Sequence, residues 1–230
     1  MFLRTLNRPT GRKIPVRALS ALFFAELGTR AGLPDGVLNV VPGFGPTAGE
    51  SLGRHMDVDK LAFTGSIEVG RYFLKYAAES NGKSVSLELG GKTPQIVLSD
   101  CADLDAAASS IAWGVFYNSG QTCHAGTRLV VEKSVEEELL EKITQVAKSI
   151  QPGDPYDPTT AMGTIVDKTQ FERVLGYIDI GKKEGAKVFS GGDKTEPVKG
   201  GVFIQPTVFQ NVKPGMRIER EEIFGPVLAS

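Results

Sequence analysis

The sequence predicts an α/β fold built on a parallel, doubly wound sheet, and three observations support this prediction. Short apolar runs of strand length alternate with segments whose apolar residues recur at helical spacing. Glycine-rich turns separate these segments, as expected where a strand passes into a crossover helix. Residues 83–89 alternate strictly, with apolar side chains on one face and polar side chains, Glu88 among them, on the other.

Helix and strand signals follow one another at short spacing up to residue 89. Residues 19–31 read as a helix with one apolar face, formed by Leu19, Leu22, Phe23 and Leu27, and a glycine and a proline then end the helix. Residues 37–41 form an apolar run of strand type, and the glycine-rich turn of residues 42–49 leads into a helix. Residues 60–63 form another short strand, after which Ser66 can cap a helix.

The same alternation continues beyond Gly90 with a new set of elements. Ser134 and Glu137 form a capping-box pattern at the start of one helix. Further strands are expected near Val188 and Phe203. The remaining expected elements are strands over residues 95–98 and 128–132 and helices over residues 103–117, 134–150 and 168–184.

Composition and charge exclude several classes of function. The 230 residues are 41% apolar and 23% charged and carry a formal net charge of −1, which indicates neither disorder nor a basic surface for nucleic acid. No apolar run reaches the roughly 18 residues that a membrane span needs. The two cysteines indicate free thiols in a reducing compartment, and Cys123 with His124 is too small a group for a metal site. We expect a protein that acts on a small molecule, with neither nucleic acid nor membrane as its partner.

The N-terminal segment is basic: residues 1–25 contain arginine and lysine but neither aspartate nor glutamate. This composition is typical of a mitochondrial transit peptide. The interpretation that we favour is a start codon that opens inside a longer gene. We therefore expect a cytoplasmic protein, with the mitochondrion as the alternative.

A loop of small residues, 118–126 (NSGQTCHAG), surrounds Cys123. A substrate can approach such a cysteine closely, and backbone N–H groups of the loop can stabilise a thiolate and a developing oxyanion. The alternative is a buried cysteine that acts as a small apolar residue. Composition alone favours this alternative.

Glu88 lies on the polar face of a predicted strand, at its carboxyl end. Ligands of open α/β sheets gather beyond the carboxyl ends of the strands, so a carboxylate there can take a proton from water. The alternative, which this residue alone favours, is a solvated carboxylate at a sheet edge.

Two segments are candidates for a dinucleotide site. Residues 43–49 (GFGPTAG) lie between a strand-type run and a helix, but the motif is one residue longer than the usual fingerprint. No acidic residue stands at the distance expected for a ribose ligand. The second segment is residues 63–66 (FTGS), whose glycine and helix N-terminus can seat a phosphate.

Together these segments resemble the aldehyde dehydrogenase superfamily. The resemblance covers residues 19–230, leaves residues 1–18 unmatched, and implies a partial Rossmann-like cofactor domain over residues 19–89. A partial α/β catalytic domain of the aldehyde dehydrogenase fold is implied over residues 90–230. Five stretches carry the resemblance: VPGFGPTAG (41–49), FTGSIEVG (63–70), LELGGKTP (87–94), NSGQTCHAG (118–126) and EEIFGPV (221–227).

The resemblance implies a role for each matching residue. Cys123 matches the nucleophile that attacks an aldehyde, and Glu88 matches the base that activates water to hydrolyse the thioester. Glu222 matches the carboxylate that holds the nicotinamide ribose, and Phe224 the ring that packs near the nicotinamide. The implied cofactor is NAD, with NADP as the alternative, and a homo-oligomer is implied for the full-length family. Positions around the adenosine and pyrophosphate are matched by Gly45, Gly49, Gly65, Ser66 and Gly70.

The substrate implied by the resemblance is a small-molecule aldehyde. Three stretches look most like the aminoaldehyde branch, whose members are similar to γ-glutamyl-γ-aminobutyraldehyde dehydrogenase. An acylating relative that transfers the acyl group to coenzyme A is disfavoured, because such enzymes dispense with the role of Glu88. The three stretches are MDVDKLAFTGS (56–66), SDCADLDAAAS (99–109) and FYNSGQTCHAGTRL (116–129).

The sequence also departs from the family pattern. Family members are about twice as long, and the segment that carries the oxyanion-hole asparagine has no counterpart here. Residues 12–15 (RKIP) do not match the K-P-x-E stretch that contacts the adenosine ribose. The second hypothesis is therefore a truncated, non-catalytic remnant. We expect residues 1–230 alone to be inactive and poorly soluble, with raw strand edges at residues 37–41 and 226–228.

Overall fold

The structure is a computed structural model that describes residues 19–230. The basic N-terminal signal and the RKIP segment lie outside the described residues. The chain divides into two compact units, Met1–Leu89 and Gly90–Ser230. None of the helices in the described part of the chain is long and apolar enough to cross a membrane.

The first unit is a β-α-β arrangement preceded by helical segments. Strands β1 and β2 pair in parallel, with helix α3 between them in the chain. The short strand and the capped helix expected from the sequence are therefore confirmed. The elements are α1 (Leu19–Arg30), a π-helical turn (Gly45–Gly49), α2 (Glu50–Arg54), β1 (Lys60–Gly65), α3 (Ile67–Ala78) and β2 (Ser84–Leu89).

Local chemistry explains the crossover from β1 into α3. The Ser66 hydroxyl accepts a hydrogen bond from the backbone N–H of Val69 at 3.3 Å, as the predicted cap requires. Phe73 on α3 packs on Phe63 of β1, with ring centroids 4.7 Å apart. Strand β2 alternates between half-buried and exposed residues, which confirms the alternation seen in the sequence.

The strand expected over residues 37–41 is wrong, because this segment is irregular. The Val37 N–H donates to the Pro34 carbonyl at 3.3 Å, and the Asn39 amide donates to the Gly36 carbonyl at 2.8 Å. These are turn-type hydrogen bonds. An apolar run becomes a strand only when a neighbouring strand takes up its backbone groups, and none of the strands in residues 19–230 does so.

The second unit contains a five-stranded mixed sheet with the order β3-β4-β9-β8-β5. Only the pairing of β5 with β8 is antiparallel, which places an antiparallel strand at one edge of an otherwise parallel sheet. A small two-stranded sheet pairs β6 with β7. The elements are β3 (Pro94–Val97), α4 (Leu104–Phe116), a 3-10 turn (Tyr117–Gly120), β4 (Arg128–Val131), α5 (Lys133–Ala147), α6 (Lys168–Lys183), β5 (Lys187–Ser190), β6 (Lys194–Thr195), β7 (Phe203–Ile204), β8 (Thr207–Gln210), α7 (Arg217–Arg220) and β9 (Val227–Ala229).

The central strands of this sheet are buried on both faces. Val208 and Leu228 belong to the core formed with α4 and α5, whereas Phe209 and Val227 belong to the core formed with α6. Successive residues of a strand face opposite sides of the sheet, so the two cores cover its two faces. This arrangement explains why residues 226–228 read as continuously apolar.

Two further expectations are wrong. Residues 226–228 do not form a raw edge, because β9 lies between β4 and β8 and is fully buried. Ser134 does not cap α5, because the helix begins one residue earlier at Lys133 and its N-cap is Glu132. The Glu132 carboxylate instead accepts the backbone N–H of Ser99 at 2.8 Å.

Candidate active site

The residues singled out in the sequence divide between the two units. The glycine-rich turn, the β1–α3 junction and Glu88 lie in the first unit. Cys123, Glu222 and Phe224 lie in the second unit. Across residues 19–230, no group of three or more histidine, cysteine, aspartate or glutamate side chains is placed to hold a metal ion.

In the first unit, Glu88 shares one sheet edge with the predicted phosphate site. Glu88 is exposed near the carboxyl end of β2, and its register partner on β1 is Thr64. Gly65 and Ser66 follow Thr64 directly, so they lie at the same carboxyl edge of the parallel pair. This is the edge at which open α/β sheets bind ligands.

The glycines of this unit have packing reasons for their identity. A Cβ on Gly65 would collide with the Phe63 ring, and one on Gly70 would lie 2.7 Å from a methyl group of Leu89. Gly70 therefore lets α3 approach β2 closely, as the third glycine of a dinucleotide fingerprint does. Gly45 begins and Gly49 ends the π-helical turn that runs into α2, and Gly49 is buried.

In the second unit, Cys123 is exposed on a tight turn. The Ala125 N–H donates to the Thr122 carbonyl at 3.2 Å, which places Cys123 and His124 at the two central positions. Ala125 and the two residues after it are buried. The buried-cysteine alternative is therefore wrong, because Cys123 is exposed to solvent while the residues that follow the turn are buried.

The backbone before Cys123 takes an unusual course that buried contacts stabilise. Asn118, Ser119 and Gly120 all have positive φ, at 51°, 56° and 66°. The buried Ser119 hydroxyl donates to the Gly163 carbonyl at 2.8 Å. Left-handed conformations at residues other than glycine are costly and persist only where surrounding contacts hold them, as they do here.

Gln121 attaches the cysteine loop to the chain segment before α6. Its side-chain oxygen accepts the Val166 N–H at 2.8 Å, and its amide donates to the Thr164 carbonyl at 3.3 Å. The same amide donates to the Asn118 carbonyl at 3.2 Å. These three bonds fix the residue two positions before the thiol.

The cysteine loop also contacts the segment that contains Glu222 and Phe224. A Cβ on Gly120 would collide with the Gly225 carbonyl, so the two backbones touch at this point. Phe224 has a φ of 57°, a left-handed conformation that is rare for a bulky residue. Two of the sequence motifs, residues 118–126 and residues 221–227, therefore meet in the fold. The point of contact, Gly120, lies three residues before Cys123 in the chain.

The Glu222 carboxylate packs against the Gly90–Gly91 turn at the start of the second unit. The Gly91 N–H donates to it, and a Cβ on Gly90 would collide with its oxygens. Burial raises the pKa of Glu222, while the Gly91 N–H, Arg173 and Lys92 oppose this rise. Ionised carboxylates can accept about four hydrogen bonds, so Glu222 keeps acceptor capacity for a ligand.

Lys92 contributes a buried ammonium group beside this carboxylate. Its side chain is half-buried, and its Nζ is shielded from solvent without a hydrogen-bond partner. Burial, and then the charge of Arg128, lower the pKa of Lys92 to about 8, although Glu219 and Glu222 act in the opposite direction. Arg128 itself forms an ion pair with Glu219 at 3.0 Å.

Replacing Lys92 with methionine is expected to stabilise the fold at neutral pH by up to about 2–3 kcal/mol, since each pKa unit corresponds to about 1.4 kcal/mol. The unfolded lysine releases its proton near pH 10.5, and the folded lysine releases it near pH 8. Between these values the unfolded state binds more protons, so the unmodified protein gains stability as the pH rises. The gain from the substitution should therefore fade over this window in denaturant titrations.

The matched control is Lys83→Met. Lys83 is also buried, but its ammonium donates to the Gly53 carbonyl and to the Ser80 hydroxyl, both at 2.7 Å. Its loss should destabilise the protein by about 1–3 kcal/mol, because the Gly53 carbonyl loses its partner. Equal effects of the two substitutions, or a gain from Lys92→Met that does not vary with pH, would contradict the interpretation.

Sequence reasoning did not identify four side chains that the structure places at this site. Lys92 ends the LELGGK stretch and Gln121 belongs to the cysteine loop, but sequence reasoning assigned neither residue a role. Gln170 and Arg173 on α6 carry no local signal, because their partners lie some fifty residues away in the chain.

Comparison with protein families shows what this arrangement resembles. A model described as "Aldehyde dehydrogenase family" matches residues 14–230. The mitochondrial aldehyde dehydrogenase of Homo sapiens is 51% identical over 210 residues, which are 91% of this chain and 40% of that protein. Aldehyde dehydrogenase family 2 member C4 of Arabidopsis thaliana is 50% identical over 212 residues, or 92% of this chain and 42% of that protein.

Solved structures give the same result. An indole-3-acetaldehyde dehydrogenase in complex with NAD+ superposes with a TM-score of 0.89 at 46% identity, covering 91% of this chain and 42% of that one. A γ-glutamyl-γ-aminobutyraldehyde dehydrogenase from Burkholderia cenocepacia gives a TM-score of 0.87 at 50% identity, with the same coverage. The chain thus spans about two-fifths of the length of the relatives that it matches.

Proposed function

Because the chain belongs to the aldehyde dehydrogenase family, we propose that it oxidises an aldehyde to a carboxylic acid with NAD+, using Cys123 as the nucleophile. One observation carries the proposal. Cys123 is an exposed thiol on a loop that is held by hydrogen bonds of the Gln121 and Ser119 side chains, and Gly120 of this loop touches Gly225, the residue after Phe224. An accessible thiol on a loop held in place by side-chain hydrogen bonds is what covalent aldehyde oxidation requires of its nucleophile.

The proposed chemistry begins with the Cys123 thiolate adding to the aldehyde carbon, which forms a C–S bond and moves the negative charge to the former carbonyl oxygen of a tetrahedral adduct. When bound, NAD+ supplies a hydride acceptor for the hydrogen on that carbon. Loss of the hydride leaves an acyl thioester on Cys123. Glu88 takes a proton from water, the hydroxide attacks the thioester, and the carboxylic acid and the free thiol are released.

The residues proposed to hold the cofactor fit a dinucleotide in their chemistry. The Glu222 carboxylate can accept the hydroxyl groups of a ribose, and the N-terminus of α3 with its Ser66 cap suits a phosphate. Gly65 and Gly70 keep this junction compact, and Gly45 and Gly49 shape the turn before α2. Phe224 supplies the ring for the nicotinamide. We propose NAD because relatives of this chain bind it, with NADP as the alternative.

For the substrate we propose an aminoaldehyde. The stretches around residues 56–66, 99–109 and 116–129 support this choice, as does the similarity to a γ-glutamyl-γ-aminobutyraldehyde dehydrogenase. The identity to that protein and to the human mitochondrial relative is nearly equal, at 50% and 51%. A panel of cationic and neutral aldehydes of equal length would show whether the protein prefers an aminoaldehyde or a neutral aldehyde.

We place the protein in a compartment where thiols stay reduced, because both cysteines are free. The cytoplasm, expected from the sequence, and the mitochondrion, named for the human relative, both meet this requirement. A homo-oligomer is proposed on the basis of the family resemblance alone.

The test is a chimaera in which residues 14–230 replace the matching stretch of the human relative. We expect NADH formation with aldehydes, and faster turnover with an aminoaldehyde than with its neutral counterpart. Residues 1–230 alone should show no measurable turnover, since loss of a single oxyanion donor already costs about 10²–10³ in rate. A folded chimaera without NAD-linked turnover would favour the non-catalytic alternative.

A further inference from the structure

The cysteine loop, residues 118–126, runs into a buried segment that is bound to its surroundings. Residues 125–127 are all buried, although Cys123 is exposed. The Gly126 N–H donates to the Gly114 carbonyl of α4 at 3.4 Å. Cys123 lies only three residues before Gly126, so contacts that fix Gly126 also limit where the thiol can lie.

Strand β3 holds the same glycine through the side chain of Gln95. The Gln95 amide donates to the Gly126 carbonyl at 2.6 Å, across 31 positions in the chain. Gln95 is half-buried, and its register partner on β4 is Leu129. Both hydrogen-bonding groups of Gly126 are therefore bound, the N–H by α4 and the carbonyl by β3. The peptide groups on either side of Gly126 cannot rotate without breaking one of these bonds.

Steric contacts reinforce the hydrogen bond from Gln95. A Cβ on Gly126 would lie 2.5 Å from Cγ and Cδ of Gln95 and 2.6 Å from its amide nitrogen, so glycine leaves the room that this side chain occupies. A Cβ on Gly114 would lie 3.5 Å from the Gln95 amide oxygen. The Gln95 side chain therefore lies against both α4 and the end of the cysteine loop.

The position of the Gly126 carbonyl matters because this part of the loop leads directly into the turn that holds the thiol. The Ala125 N–H closes that turn by donating to the Thr122 carbonyl. Without Gln95 the Gly126 carbonyl would lose its donor, and a buried carbonyl without a donor is costly. The loop would then shift until another donor reaches the carbonyl, and the Cys123 thiol would move with it. Displacement of a reacting group by about 1 Å can lower a rate about 10²-fold.

We propose that Gln95 is a positioning residue for the reaction of Cys123. By holding the Gly126 carbonyl, it fixes the end of the cysteine loop and sets the rate at which the thiol takes up an acyl group. The proposal rests on the proposed function, because it assumes that Cys123 is the nucleophile. It does not require Gln95 to touch the aldehyde, the cofactor or the thiol.

The test uses the chimaera that carries residues 14–230 and compares it with its Gln95→Met variant. Methionine keeps the length of the side chain but has no N–H donor. Hydrolysis of p-nitrophenyl acetate at Cys123, which needs no hydride acceptor, should slow by about tenfold or more in this variant. The dissociation constant for NAD should stay unchanged, because the residues proposed to hold the cofactor are intact.

A second variant, Gln95→Glu, separates the hydrogen bond from the space that the side chain fills. Glutamate has the shape of glutamine but can donate to the Gly126 carbonyl only while its carboxyl group is protonated. Its rate of ester hydrolysis relative to the unmodified chimaera should therefore rise as the pH falls, whereas the relative rate of Gln95→Met should stay constant. A constant relative rate in both variants would overturn the assignment to the hydrogen bond.

The matched control is Gln151→Met. Gln151 also donates its amide to a backbone carbonyl, that of Ala147 at 2.8 Å, but it lies beyond the end of α5. The control should hydrolyse the ester at the unmodified rate. An unchanged rate in Gln95→Met would overturn the proposal, as would parallel losses of ester hydrolysis, NAD affinity and melting temperature. Failure of the proposed function is distinguishable, because ester hydrolysis would then survive Cys123→Ala in the otherwise unmodified chimaera.

Discussion

In the chimaera that carries residues 14–230, Cys123→Ala is expected to abolish NAD-linked aldehyde oxidation, with kcat/KM lower by about 10⁴-fold or more, because no other nucleophile replaces the thiolate. NAD binding should persist, since the residues proposed to hold the cofactor are unchanged. The measurement combines steady-state NADH formation with a binding titration. Loss of turnover with retained NAD binding is the signature of a missing nucleophile rather than of a misfolded site.

The second cysteine provides the matched control for this experiment. Cys101 is half-buried, and its thiol donates to the Asp103 carbonyl at 3.6 Å. Cys101→Ala should retain turnover and should still react with one equivalent of a thiol reagent at Cys123. Comparable losses in the two variants would show that Cys123 is not the reacting thiol.

The sequence predicted those elements whose signals are local. The Ser66 cap and the alternation of residues 84–89 depend on neighbours within a few positions, and both are present in the structure. Most helix boundaries were predicted to within a few residues for the same reason. At α5 the boundary was also predicted to within a few residues, but the N-cap is Glu132 rather than Ser134, and the Glu132 carboxylate accepts the Ser99 N–H.

Elements whose conformation depends on a distant partner were not predictable in this way. Residues 37–41 and 226–228 have similar apolar runs, yet only the second forms a strand. The difference lies in pairing, because β9 has β4 on one side and β8 on the other. A single sequence without homologues contains no signal for such neighbours.

The same limit applies to the candidate site. Cys123, Glu88 and Glu222 lie in stretches that resemble family motifs, so they could be predicted as site residues from the sequence. Gln170 and the buried ammonium of Lys92 have roles that depend on tertiary contacts with the Glu222 segment. A single sequence gives no signal for these contacts, because the partners are far apart in the chain and meet only in the folded structure.

In the chimaera that carries residues 14–230, Glu88→Gln is expected to produce a burst of about one NADH per Cys123, followed by a slow phase. Steps up to hydride transfer need only the thiol and the cofactor, so one turnover proceeds. Hydrolysis of the thioester needs a base for water, and loss of a positioned base typically costs about 10²–10⁴ in rate. Rapid-mixing measurements of NADH resolve the two phases, and mass spectrometry should find the acyl group on Cys123.

Chemical rescue separates loss of the base from other defects. Hydroxylamine is a stronger nucleophile than water and attacks a thioester without a base. Added after the burst and after removal of excess aldehyde, with which it would form an oxime, it should release the acyl group of Glu88→Gln as a hydroxamic acid and regenerate the Cys123 thiol. The matched control is Glu79→Gln, which removes two exposed ion pairs, with Arg54 and with Lys75, and should turn over normally. Ordinary steady-state turnover of Glu88→Gln would remove Glu88 from the mechanism. A variant without a burst would place Glu88 before hydride transfer, where its carboxylate would instead take the proton of the Cys123 thiol.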